Sequence, residues 1–290
     1  MGRVKVAAAA VAAVLLAGAT ACGERSEPVG KTVPLYPITV TDASDRQVAA
    51  SAQPRRIAAL APAAGEIVRA LGLGSRLVGP PEGFFGSKGE LLVAKLRAAK
   101  PDLILAAPGP PVFARRLAEV PASVYYVPQD SIADVERAIE QLGLLLDRPV
   151  KARVLVHRIE EARATVRLKL AESPTVSVFL DTGFFITVPD GSLAGDLIRE
   201  AKGRNVAGAA ASGEPFDLGR LLDVNPDVYL ATSDSNTTLD SLRKNPQTRK
   251  LKAVKSGRFH VIDIALLDPG PQVGEGLLEL AKLLHPNAFR

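Results

Sequence analysis

The chain has 290 residues, of which 47% are hydrophobic and 23% are charged. This composition is typical of a globular protein and excludes wholesale disorder. The formal charge of +5 falls by two, to +3, without Arg3 and Lys5 of the N-terminal segment. Because the remaining charge is small and evenly mixed, we expect no nucleic-acid partner.

The first 21 residues are organised like a signal peptide. A short positive stretch, MGRVK, precedes the apolar run VAAAAVAAVLLAGATA at 6–21. Such a run is shorter than the ~20 residues of a membrane span and suits the core of a signal peptide. Cys22 follows directly and is the only cysteine, so no disulfide can form within the chain.

The position of Cys22 after ATA resembles the lipobox of bacterial lipoproteins, in which the cysteine is acylated. Ala19 stands where that motif usually has leucine. We predict a lipid anchor at Cys22 and a polar tether over 22–36, which would hold the protein in the cell envelope, on the outer face of the cytoplasmic membrane or in the periplasm. The alternative is secretory cleavage nearby that leaves Cys22 free.

Past the tether, residues 37–148 have the pattern of a small α/β lobe. Alternating apolar positions in PITVTDASDRQVAA (37–50) predict a hairpin. Strands and helices then alternate, which indicates a mostly parallel sheet. The predicted strands are 55–62, 77–80, KPDLILA (100–106) and 123–128, and the predicted helices are 63–74, 89–99 and 111–119.

The middle of the chain is helical. Residues 131–146 predict one helix, and 149–173 predict a longer one, about 35 Å in length. Pro149 suits the first helical turn, and Pro174 ends the helix.

Strands and helices alternate again over 174–290. NPDVYLA (225–231) repeats the Pro-Asp phrase of KPDLILA in a matching context, after a helical segment. The sequence therefore predicts a first lobe, a bridging helix and a second lobe of similar construction. The predicted elements of the second lobe are strands at 176–180, 225–231 and 258–263 and helices at 194–203, 216–224, 241–254 and 274–284.

The order of these segments resembles the substrate-binding proteins of ABC importers for ferric siderophores, cobalamin and haem. The resemblance covers 37–286 and implies an α/β fold of two similar lobes, with mostly parallel sheets, joined by a single long helix. It implies a binding protein that holds a small-molecule ligand, such as a ferric chelate, a corrinoid or haem, and delivers it to an ABC permease in the membrane. We expect a monomer without a cofactor. The resemblance rests on TDASDRQV, RRIAALAPAAGEIVRALGLGSRLVG, KPDLILA, the 149–173 helix, SLAGDLIREAKGRNVAG, FDLGRLLDVNPDVYLA, LKAVKSGRFHVID and DPGPQVGEGLLELAKLLHP.

No constellation of residues in the sequence indicates catalysis. A nucleophilic mechanism needs Ser or Cys beside His and a supporting acid. His157 falls on the long helix, His260 in a strand and His285 near the C-terminus, away from the loops that follow strands. The sequence also has no phosphate-binding glycine loop and no His/Glu pair at metal-ligand spacing. We predict a protein that is not an enzyme, with no catalytic residue and no metal site.

Loops at the carboxyl ends of parallel strands line the crevice of such lobes. Gly-Phe-Phe occurs in two of these loops, at 83–85 and 183–185. The rings either present an apolar wall to a macrocycle or a catecholate, or pack as small local cores, and both interpretations stay open. In the strand at 123–128, alternation turns one of Tyr125 and Tyr126 inward and one outward. The predicted ligand contacts are Phe84, Phe85, Lys88, Tyr125, Phe184, Phe185 and Asp268.

The resemblance breaks at two positions. In the cobalamin-binding branch each lobe offers a glutamate, seven residues before the proline of the Pro-Asp strand, that pairs with permease arginines; Ala94 and Gly219 stand there. Glu90 and Asp223 lie four residues away on the same predicted helical faces, and we predict that they dock the permease instead. The alternative function is a lipid-anchored sensor or scaffold with the same fold and no permease.

Overall fold

The structure, a computed structural model, describes residues 36–290 apart from the side chain of Pro62. The predicted signal peptide, Cys22 and all but the last residue of the tether lie outside this range. The described chain opens with strands β1 (Ile38–Thr41) and β2 (Gln47–Ala50), which pair antiparallel and confirm the predicted hairpin. Asp42 closes the turn, because its carboxylate accepts the backbone N–H groups of Ser44 and Arg46.

The first lobe is a three-stranded parallel sheet in the order β3-β4-β5. Its strands are β3 (Ile57–Ala59), β4 (Leu103–Ala106) and β5 (Ser123–Tyr126), and its helices are α1 (Pro62–Ala70), α2 (Val93–Ala98) and α3 (Pro111–Ala118).

In this lobe the strand predicted at 77–80 and the helix predicted at 89–99 are shorter in the structure than predicted. The strand predicted at 77–80 is a single bridge between Leu77 and Ile57. The helix predicted at 89–99 begins only at Val93, since Leu91 forms a bridge with Phe85, and Leu92 N–H donates to the Phe84 carbonyl at 2.8 Å.

The first lobe ends in a helix and a second, longer helix bridges it to the second lobe. Helix α4 (Ile132–Leu145) packs against α5 (Pro149–Lys169), the long bridging helix. Helix α5 ends four residues earlier than predicted, because the chain turns at Leu170 and the Lys202 ammonium holds the Ala171 and Ser173 carbonyls at 2.7 and 3.2 Å. Within residues 36–290 no helix is both long enough and apolar enough to cross a membrane.

The second lobe is a four-stranded parallel sheet in the order β7-β6-β8-β9. Strand β7 was not predicted, because it has three residues and an exposed arginine in its middle. The strands are β6 (Val176–Asp181), β7 (Gly203–Asn205), β8 (Val228–Thr232) and β9 (Phe259–Ile262). The helices are α6 (Leu193–Glu200), α7 (Leu218–Val224), α8 (Leu239–Lys244), α9 (Lys252–Ser256) and α10 (Val273–Leu284).

The two Pro-Asp strands occupy equivalent places. Strand β4 lies between β3 and β5, and β8 lies between β6 and β9. In the first lobe Asp102 accepts the backbone N–H groups of Arg55 and Arg56, at 2.8 and 3.0 Å. In the second, Asp227 accepts the N–H and hydroxyl of Ser177, at 3.2 and 2.7 Å. Each aspartate therefore ties the start of its own strand to the start of the neighbouring strand, which explains why the phrase is repeated.

Asp227 is further held by Lys252. The hydrogen bonds from Lys252 and Ser177 lower the pKa of Asp227 to about 2, so this carboxylate remains charged at any neutral or mildly acidic pH.

One apolar core runs through both lobes and across the bridging helix. It includes Leu105 of the first sheet, Ile159 of α5 and Leu180 of the second sheet, all of them buried.

Candidate functional site

The helices that follow β5 and β6 are joined where they begin. Ile132 begins α4, after the loop that leaves β5, and its N–H donates to Asp196 Oδ2 at 2.8 Å. Asp196 is buried in the first turn of α6, which follows β6. This bond joins the start of the helix that follows β5 to the start of the helix that follows β6. In α/β sheets the usual ligand position is beside the carboxyl ends of the strands.

A cavity of about 360 Å³ lies between the lobes, over the bridging helix. Helix α5 forms its floor, and α1 and α10 each form a wall. Cavities of this size fall in the range of small-molecule sites. The lining residues include Glu66 of α1, Arg158 and Ile159 of α5, and Gln272 and Glu275 at the start of α10.

The loop after β6 exposes one aromatic ring. The side chain of Phe184 is 82% exposed. Three successive residues have positive φ: 120° at Gly183, 54° at Phe184 and 62° at Phe185. Left-handed backbone is disfavoured for residues with a Cβ, and such strain concentrates at functional sites. An exposed phenylalanine on a strained turn at the carboxyl edge of a sheet has the properties of a ligand contact.

The other three predicted phenylalanines pack on the protein, Phe84 fully and Phe85 and Phe185 in part. Phe84 is only 5% exposed and belongs to the outer core of the first lobe, with Leu91 and Val93, and Phe85 packs on the same cluster. Phe185 packs against the outer core of the second lobe. The two Gly-Phe-Phe segments therefore differ, because the first lies over apolar neighbours while the second turns one of its rings outward.

Both tyrosines of β5 are inside. Tyr125 is fully buried in the core shared by the lobes, and its burial raises the pKa of its hydroxyl. Tyr126 lies on the opposite face of the strand, with the Arg46 guanidinium 4.3 Å above its ring. The expectation that one tyrosine faces outward was wrong, since this parallel sheet is covered on both faces. Neither ring is open to a ligand in the structure.

Asp268 and Lys88 are both exposed in loops, on opposite lobes. Partial removal from water raises the pKa of Asp268, and the carboxylates of Glu66, Asp263 and Asp234 raise it further. Glu66 belongs to the first lobe, so this group of acids extends across the junction. Close carboxylates of this kind oppose an added negative charge and favour a positive one.

Glu90 and Asp223, the two acids predicted to dock the permease, lie in different local structures. Asp223 is exposed on α7, as predicted. Glu90 is exposed but precedes α2, where its carboxylate accepts the Lys88 N–H at 3.1 Å, so the prediction that it shares a helical face with Ala94 was wrong. Ala94 and Gly219 are themselves exposed on α2 and α7.

The histidines lie outside the crevice loops, as we call the segments at 80–88, 107–113, 181–188 and 264–271. His157 is exposed on α5, with Nε2 3.3 Å from Glu161. Burial lowers the pKa of His260 and of His285, and the latter ring contacts the Ala201 carbonyl at 3.1 Å. Among residues 36–290 no three His, Cys, Asp or Glu side chains are grouped so that they could hold a metal ion.

Two lobes with parallel sheets, joined by one long helix, define a class of solute-binding proteins. A family model described as periplasmic binding protein matches residues 85–265, and the chain belongs to this family. The chain is therefore a solute-binding protein of the class that serves ABC importers, and it is not an enzyme, as the sequence resemblance implied.

Relatives and solved structures agree with this assignment. The chain is 27% identical to the uncharacterized ABC transporter substrate-binding lipoprotein YvrC of Bacillus subtilis, over 98% of this chain and 97% of the relative. It is 26% identical to the vitamin B12-binding protein of Vibrio parahaemolyticus, over 61% of this chain and 70% of the relative. The solved structure of Helicobacter pylori CeuE with Ni(II) bound superimposes with a TM-score of 0.75 at 16% identity, covering 87% of this chain and 90% of that one, which confirms the predicted fold.

Proposed function

We propose that this protein captures a bulky chelate or macrocycle between its lobes and delivers it to an ABC permease. The candidate ligands are a ferric siderophore, a corrinoid and haem. The observation that carries the proposal is the exposed ring of Phe184, on a strained turn at the carboxyl edge of the second sheet. The name of the Vibrio relative, a vitamin B12-binding protein, supports a ligand of this size.

The proposal includes the arrangement of the protein at the membrane. A lipid on Cys22 anchors a monomeric protein outside the cytoplasm, and 22–36 act as the tether. The lipoprotein name of the Bacillus relative supports the anchor. Residues 37–148 and 174–290 are the two lobes that hold the ligand, and the exposed Glu90 and Asp223 meet the permease.

The contacts within the crevice follow from exposure and charge. Phe184 stacks on the ligand, and the partly exposed Phe85 of the first lobe and Phe185 of the second lobe add apolar surface. Lys88 and Asp268 bind polar groups from opposite lobes. Phe84 and Tyr125 support the loops from the core. Because Asp268 lies among three other acids, a neutral or cationic ligand is favoured over a polyanionic catecholate.

A thermal-shift panel on the purified full chain tests this proposal. The probes are cyanocobalamin, ferrioxamine B, haemin and ferric enterobactin. A ligand that binds only the native state stabilises it by about 2.7 kcal/mol at a hundred times its Kd, so binding raises the melting temperature. We expect cyanocobalamin or ferrioxamine B to give the largest shift, and a flat response to all four would refute the proposal.

Replacing Phe184 by alanine should weaken binding of that probe by about tenfold or more, because aromatic anchors dominate ligand contacts. The melting temperature of the free protein should stay the same, since the ring is 82% exposed. Leu168→Ala is the matched control, because Leu168 is 79% exposed on α5 and outside the crevice loops. If Phe184→Ala and Leu168→Ala bound the probe with equal affinity, Phe184 would not be a ligand contact.

A further inference from the structure

A buried carboxylate holds the strained turn at Phe184, beside two backbone hydrogen bonds: Thr182 N–H donates to the Ile186 carbonyl at 2.8 Å and Ile186 N–H donates to the Gly183 carbonyl at 2.9 Å. Asp181 ends β6 and is 1% exposed. Its Oδ1 accepts the backbone N–H of Gly183 at 2.8 Å and that of Phe185 at 3.0 Å. These two donors flank Phe184, so the carboxylate grips the turn on both sides of the exposed ring. The carboxylate thereby stabilises positive φ at two residues that have a Cβ, a conformation that persists only where its surroundings enforce it.

The other oxygen of Asp181 is fixed from the neighbouring strand. Its Oδ2 accepts the Tyr229 hydroxyl at 2.7 Å and the Thr237 hydroxyl at 2.8 Å. Tyr229 belongs to β8 and its ring packs 5.3 Å from that of Phe179 and 5.9 Å from that of Phe259. Burial, and then the charge of Asp181, raises the pKa of Tyr229, which keeps its hydroxyl protonated as a donor. The carboxylate therefore has four donors and a rigid support.

The two phenylalanine rings of the turn differ in burial. Phe185 packs inward on the outer core, and its carbonyl accepts the Phe216 N–H at 2.9 Å. Phe184 has no such anchor and projects outward, 82% exposed. A surface loop without a binding role gains nothing from this arrangement, because it strains the backbone and leaves an aromatic ring in water.

We infer that Asp181 is a positioning residue for ligand binding: with Tyr229 and Thr237 it holds the turn that presents Phe184 to the ligand. The inference rests on the proposed function, in which Phe184 touches the ligand. It assigns to the Pro-Asp strand β8 a part in binding through Tyr229, two residues after its aspartate.

A double-mutant cycle between Asp181 and Phe184 tests the inference. Asp181→Ala, Phe184→Ala and the double variant of the full chain are titrated with cyanocobalamin and with ferrioxamine B. We expect Asp181→Ala to weaken binding about tenfold when Phe184 is present and less than twofold when it is absent, because the effect passes through the ring. A variant that only destabilises the fold would weaken binding equally in both backgrounds, and that result would overturn the inference.

Asp181→Asn serves where the alanine variant fails to fold. In asparagine one carboxylate oxygen becomes an NH2 group, which cannot accept the Tyr229 and Thr237 hydroxyls, and the remaining oxygen is uncharged. Asparagine should therefore hold the turn amides more weakly than the carboxylate does, and retain more affinity than alanine. Hydrogen exchange of the free protein gives a readout that needs no ligand: the Gly183 and Phe185 amides should exchange at least tenfold faster in Asp181→Asn than in the wild type. Unchanged exchange would overturn the inference. If none of the four panel probes binds the wild type, the proposed function fails, while the exchange rates still decide whether Asp181 holds the turn.

Discussion

Replacing Gly143 by valine is expected to destabilise the protein by about 3 kcal/mol, at the upper end of the cost of overpacking a core. Gly143 is buried on α4, and a Cβ at this position would overlap the Cβ of Ala152 on α5 and lie 3.4 Å from the Arg148 carbonyl. The backbones of the two helices therefore approach too closely for any side chain. Valine must push α5 away from the first lobe or fail to pack.

Chemical denaturation with urea measures this loss directly. Gly191→Val is the control, because a Cβ added at Gly191 meets nothing within 4 Å, and it should change the free energy of unfolding by less than about 0.5 kcal/mol. We also expect Gly143→Val to bind the panel probes more weakly, because the lobes are set by α5. If both glycine variants were equally stable, the helices would not meet as the structure has them.

Replacing Arg163 by methionine should cost about 2 kcal/mol at pH 7, somewhat less than the loss of a partner from a fully buried ion pair. Arg163 lies on α5 and its side chain is 23% exposed. Its guanidinium is 3.1 Å from Glu136 on α4 and 3.4 Å from Glu200 on α6. One cation therefore joins the bridging helix to both lobes, and its removal leaves two carboxylates close together.

The loss should depend on pH. Burial raises the pKa of Glu136 even with Arg163 opposing it, so removing the arginine raises that pKa further. An acid whose pKa is higher in the folded state than in the unfolded state stabilises the fold as pH falls. The deficit of Arg163→Met should therefore shrink as the pH is lowered from 7 toward 4, and urea denaturation at several pH values measures it.

Two further variants isolate the cause. Arg137→Met removes an exposed arginine, 55% accessible, paired with Asp134 on α4, and should cost less than about 0.5 kcal/mol. Adding Glu136→Gln to Arg163→Met should restore part of the stability, because it removes one of the unpaired charges. A deficit that persisted unchanged at low pH and in the double variant would show that Arg163 acts through packing alone.

Much of the fold could be predicted because the spacing of apolar residues and the positions of proline and glycine act on neighbouring residues in the chain. Pro149 and the apolar spacing after it predicted α5, and the repeated Pro-Asp segment predicted two similar lobes. The details that failed depend on specific contacts between segments, which the local pattern does not show. Helix α2 begins later than predicted because Leu91 pairs with Phe85. Helix α5 ends earlier than predicted because Lys202 holds the turn that follows it.

The site was less predictable than the fold. Identical Gly-Phe-Phe segments gave no signal that Phe84 would be buried and Phe184 exposed, because that choice depends on which apolar side chains lie beneath each loop. Asp181 could be suspected only from its place at the end of an apolar strand. Its four hydrogen bonds arise from residues up to 56 positions away.

Hydrogen exchange of the full chain with and without a bound probe tests the central claim, that a ligand lies between the carboxyl ends of the two sheets. The probe is cyanocobalamin or ferrioxamine B, whichever binds more tightly. We predict slower exchange in loops of both lobes, at 80–88 and 107–113 in the first and at 181–188 and 264–271 in the second. Protection confined to one lobe, or placed away from these loops while the probe is bound, would contradict it.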